Sequence, residues 1–163
     1  MESILVNMID HIARALPWAR TVDEDYGQLE ALDNEQLDMY PLTFPAVLID
    51  LPGTEWTDTG DIAQRGTCEV RVRLILDCYD DTHAGSHTVD KIMQREEKRK
   101  ALHALLQGFR PSGEGALIRT RSRFFTFNHG IKVYEATYTC AIAESTRETG
   151  TIARTTLSVR LKT

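Results

Sequence analysis

The sequence predicts an α+β protein, because two helical repeats, one alternating strand and one hairpin are written into the same 163 residues. From Glu2 to Leu16, Ile4, Leu5, Met8, Ile9, Ile12 and Leu16 recur at spacings of three and four, the period of an amphipathic helix, and Pro17 ends the pattern. From Thr67 to Cys78, Cys68, Val70, Val72, Leu74, Leu76 and Cys78 alternate with Glu69, Arg71, Arg73 and Asp77, the period of a strand with one apolar face. Leu117 to Phe127 and Ile131 to Ile142 flank Asn128-His129-Gly130, a three-residue loop with glycine at its left-handed position.

The remaining elements follow in order. Thr21 to Pro45 holds seven acids, no lysine and no arginine, together with Gly27, Pro41 and Pro45, and reads as an irregular, solvated excursion. Pro45 to Leu51 is a short apolar strand closed by Pro52 and Gly53, and Thr54 to Arg65 has room for one further short extended piece. Val89 to Leu106 reads as a second helix, with Ile92, Met93, Leu102, Leu105 and Leu106 apolar, an N-cap at Ser86 or Thr88, and an end marked by Gly108 and Pro111. After Glu144 a polar breaker leads to residues 145–163, an extended arm or extra strand in which four basic residues face the single acid Glu148.

The hairpin loop sets a register. Pairing Phe127 with Ile131 places Arg123 opposite Glu135, Arg121 opposite Thr137 and Arg119 opposite Thr139, while Phe124 meets Tyr134 and Ile118 meets Cys140 on the other face. A two-residue loop would mix polar and apolar groups on both faces. The three arginines therefore form one basic row on the polar face of the hairpin. As a solvated face the row gains an Arg123–Glu135 cross-strand pair worth about 0.2–1 kcal/mol. As a subunit interface it adds Arg71 and Arg73 and finds an acidic counterpart in the Thr21 to Pro45 segment. Nucleic-acid contact is the weakest reading, because Phe125 and Phe127 are the only aromatics at hand to stack on bases.

Composition excludes several classes. Nineteen Lys and Arg against 24 Asp and Glu give a formal charge of −5, opposite in sign to the basic balance of a duplex-binding domain. The length suits one domain that buries roughly two-thirds of its unfolded surface. No apolar run approaches the roughly 20 residues that span a bilayer, and no basic leader opens the chain, so the reading is a soluble protein kept in a cytoplasm without membrane partners. Cys68 and Cys78 share a predicted strand about 33 Å apart, too far to bridge, and with Cys140 they read as reduced thiols.

The candidate chemistries are few. Cys78, His83 and His87, near Asp80, Asp81 and Asp90, supply zinc-ligand types, and a small metal-binding enzyme centred on His83 and His87 is the alternative they support. Against it, Cys78 ends an inward row and the histidines flank Gly85 in a turn. The acidic segment does not set its acids, glycine and glutamate at the spacing of a calcium loop, which needs glycine at the sixth position and glutamate at the twelfth. No serine elbow, catalytic cysteine signature, phosphate-binding loop or dinucleotide turn is present, so the expectation is no catalytic residue, no metal, no cofactor and no enzyme activity.

The order helix, acidic loop, strand, long strand, helix and hairpin resembles the tail terminator or tail completion proteins of long-tailed phages and prophages, the lambda-type minor tail proteins. The phrases that carry the likeness are "ILVNMIDHIARAL", "FPAVLIDLPG", "GTCEVRVRLIL", "KALHALLQGF" and "GIKVYEATYTCAI", spread over residues 1–144. The long acidic insertion and the tail beyond Glu144 depart from the shortest members of that family. The resemblance implies a mostly antiparallel sheet with both helices on one face, and a homo-oligomeric ring at the head-proximal end of the tail tube. It implies tail tube and head–tail connector proteins as partners, a place in the virion tail, and the host cytoplasm during assembly. A head–tail connector or baseplate component is the nearest alternative. On this reading Arg71, Arg73, Arg119, Arg121, Arg123 and Glu135 are the candidate interface residues.

Overall fold

The alternating run around Val70 becomes the centre of a sheet. A computed structural model describes residues 1–32, 42–59 and 63–145. Its elements are helix α1 (Glu2–Ala15), strand β1 (Thr21–Glu24), the single turn α2 (Gln28–Ala31), strands β2 (Ala46–Asp58) and β3 (Ala63–Asp77), helix α3 (Asp90–Leu106), and strands β4 (Ile118–Phe127) and β5 (Ile131–Ser145). Among the described residues the sheet runs β1-β2-β3-β5-β4, antiparallel throughout except for the parallel pair β1–β2. The fold is α+β, as the sequence predicts.

The period-2 pattern of β3 divides the interior into two cores. Cys68, Val70, Val72, Leu74 and Leu76 face the helices, where they meet Val47 and Ile49 of β2, Tyr138, Cys140 and Ile142 of β5, Ile4, Leu5, Met8 and Ile12 of α1, and Leu102 and Leu106 of α3. Met8, Ile12 and Leu106 are fully buried, so helical periodicity has become a docking stripe. A smaller core lies on the opposite face, where Ala46, Leu48, Ile75, Ile131 and Val133 are covered by Leu29 of α2 and by Leu42.

Three stretches depart from the sequence reading. The acidic segment is not wholly irregular, because Thr21 to Glu24 pair with Ala46 to Ile49 and α2 sinks Leu29 to zero exposure. Pro52 and Gly53 do not close a strand; they sit where the β2–β3 register shifts, a position that accommodates a residue without an N–H, and β2 continues to Asp58. The helix α3 is capped at Val89 without a side-chain bond, and Thr88 instead donates its hydroxyl to the Asp81 carbonyl. The arm proposed for 145–163 lies, apart from Ser145, outside the described residues.

Candidate docking surface

The β4–β5 hairpin forms as its loop predicts: Phe127 pairs with Ile131, Arg123 with Glu135 and Arg121 with Thr137. Gly130 turns at φ 72°, the left-handed region that glycine enters without strain. Arg123 donates to Glu135 through Nε at 2.7 Å and Nη2 at 3.0 Å, a bidentate pair, and its guanidinium lies 5.1 Å from the Phe125 ring centre. Phe124 packs edge-on against Tyr134 on the helix face.

The row then breaks. A register shift between Arg119 and Arg121 sets Arg119 opposite Tyr138 and Ile118 opposite Thr139, correcting the predicted Arg119–Thr139 and Ile118–Cys140 pairs. The cause is Leu117, which is fully buried in the helix-side core. Strict alternation back from Phe124 would send residue 117 to the opposite face, and one extra residue, Thr120, restores it. Arg119 has the same parity as Leu117, so it moves to the helix face as well. Gln107 at the end of α3 accepts the Arg119 backbone N–H at 3.1 Å and fixes the new course.

Arg71 and Arg73 find partners within the chain. Arg71 pairs with Asp50 of β2. Arg73, 7% exposed, donates to Asp25 and, through Nη1 at 2.5 Å, to Glu30 of α2. Part of the acidic segment is therefore folded onto its own sheet. Burial works against the Arg73 charge, yet Glu30 and Asp25 more than offset it and raise its pKa, while Arg73 holds the Glu30 carboxyl below its ordinary range. Glu135, 8% exposed, faces Arg73 across β3 and Arg123 across β4.

Of the five candidate arginines, only Arg119 and Arg121 lack a carboxylate partner among the described residues. Arg119 lines a narrow notch between α3 and β4 with Arg99, His103, Ser122, Phe124 and Tyr138. His103 Nδ1 and the Tyr138 hydroxyl lie 3.0 Å apart. Burial, and then the cations Arg119 and Arg99, lower the His103 pKa; burial pushes the Tyr138 hydroxyl up to about 12. Nothing local in the sequence marks His103, Tyr138 or Asp25 as neighbours of these arginines. One signal was available: Arg73 interrupts the apolar run from Val72 to Leu76, and a cation flanked by apolar residues in a strand needs an acid close by.

The histidine cluster does not converge. His83 Nδ1 pairs with Asp81 at 2.5 Å with both side chains exposed, and among the described residues no three His, Cys, Asp or Glu side chains are placed to hold a metal ion. Cys68 faces Cys140 directly across the β3–β5 ladder, and all three cysteines are free thiols. Among the described residues no helix is long and apolar enough to cross a membrane.

No protein-family model matches this chain, and no curated protein does. Among solved structures it is similar to a chain in the virion of a native gene transfer agent particle, at 12% identity over 84% of each chain, with a TM-score of 0.40.

Proposed function

We propose that this chain is a virion structural protein of the tail terminator type, which closes the tail tube as a homo-oligomeric ring and offers the head or connector a docking surface. The observation that carries the reading is the charge on the two sheet edges. β1 and β4 lie at opposite ends of the strand order; β1 carries Asp23 and Glu24, and β4 carries Arg119 and Arg121. An edge strand presents unpaired backbone groups to a neighbour. Unlike edges of opposite sign favour head-to-tail contact between copies, and such a heterologous contact makes a ring when its rotation closes. The activity is complementary surface, without bond chemistry, cofactor or metal. The sequence resemblance to tail terminators supports the same reading and supplies the tube and connector as partners.

Electron microscopy of the purified protein mixed with tail tubes tests the proposal. Rings seated at one tube end are expected. Tubes that keep free ends, or protein bound along their sides, would refute the terminator role, and binding to isolated connector alone would favour the connector alternative.

A further inference from the structure

The extra residue in β4 gives the arginines a two-sided arrangement that matches the acids of β1. Thr21 and Asp23 pair with Ala46 and Leu48, which belong to the small core, whereas Val22 and Glu24 pair with Val47 and Ile49, which face the helices. Asp23 and Glu24 are therefore adjacent acids on opposite faces. Neither has a cationic partner among the described residues; Asp23 Oδ1 accepts only the Glu24 backbone N–H, at 2.8 Å. In an unbroken β4, Arg119 and Arg121 would share one face. The shift at Thr120 puts Arg119 on the helix face and leaves Arg121 on the other, so the cations also straddle the sheet, one extended step apart.

We infer that β4 of one copy receives β1 of the next, so that the sheet continues across the subunit boundary with Glu24 in the Arg119 notch and Asp23 against Arg121, the incoming strand taking over the Arg119 N–H that Gln107 holds in the free chain. This rests on the ring reading and names its contact. The face rule of a continuous sheet allows only same-face partners, and both pairs obey it. The notch suits a carboxylate flanked by an apolar residue: Arg119 supplies the unpaired positive charge, Phe124 and Tyr134 supply an apolar wall, and Val22 accompanies Glu24 on that face. Other ionisable groups there are already satisfied or neutral. Arg99 is held by Glu96, which also meets Lys100; Glu135 is held by Arg123; and the Tyr138 hydroxyl is bonded to His103. A four-residue β1 makes few backbone bonds, so the contact is weak between free copies and strengthens when a tube end templates the ring.

Sedimentation velocity, with the charge states exchanged, tests the docking. Arg119→Glu and Glu24→Arg should each weaken self-association at least about tenfold, by setting like charges against each other. The double variant carrying both changes should recover it, and circular dichroism of every variant should match the wild type. The His103 pKa, followed by NMR, should rise on assembly as the neighbour's carboxylate enters. Wild-type rings that persist in Arg119→Glu, or a double variant that stays dissociated while folded, would overturn this contact and leave the ring reading standing. A wild type that stays monomeric at all concentrations and on tubes would overturn the ring reading itself.

Discussion

Replacing Arg73 by alanine tests the in-chain charge cluster most directly. The Arg73 side chain is 9% exposed and that of Asp25 5%, whereas Glu30 is 56% exposed. Truncation leaves Asp25 as a buried carboxylate facing no cation, and a stranded buried charge costs about 3–5 kcal/mol. Glu30 adds little, because solvent already screens more than half of it. Glu30→Ala should therefore cost at most about 1 kcal/mol, a large asymmetry between the two ends of one salt bridge. Urea unfolding followed by circular dichroism measures both. Arg73→Met combined with Asp25→Leu should regain most of the loss, since apolar residues of similar volume often replace a buried pair without penalty. The cluster also predicts an acid limb. With its pKa lowered in the folded state, Glu30 contributes stability that is present above its ordinary titration range and lost as pH falls through and below it; in Arg73→Ala that part of the acid dependence should disappear. An Arg73→Ala variant that loses less than about 1 kcal/mol would refute the claim that Asp25 depends on it.

Two further outcomes are expected. A Cβ on Gly115 would lie 2.3 Å from the Ala141 backbone nitrogen and 2.6 Å from its oxygen, so Gly115→Ala should cost about 1–3 kcal/mol by pushing the segment before β4 away from β5; Gly53→Ala, with nothing within 4 Å, should stay within about 0.5 kcal/mol of wild type in the same unfolding assay. Thiol labelling should find only Cys78 reactive in the native protein, slowly because burial raises its pKa, while Cys68 and Cys140, at 0% and 3% exposure, should react only when denaturant is added.

Local periodicity carried much of the fold. The α1 stripe, the β3 alternation and the three-residue loop each specify an element within a few residues of themselves, so Ile12, Val70 and the Arg123–Glu135 pair could be placed from their neighbours alone. The acidic segment was harder to read. Leu29 lies among polar residues and Leu42 between Pro41 and Pro45, so neither belongs to a readable period, and only the small core beneath them explains why they are buried.

The sequence by itself determined which residues alternate and where the hairpin turns, because burial of one face imposes a period that shows in the order of side chains. Tertiary structure decided which arginines remain available. Arg73 is neutralised by Asp25 and Glu30, 48 and 43 positions away, a proximity created only when β1 lies beside β2 and α2 covers the sheet. Arg119 changes face because Leu117 gains more in the helix-side core than an unbroken ladder would provide, and that competition exists only once α3 and β5 have built the core around it.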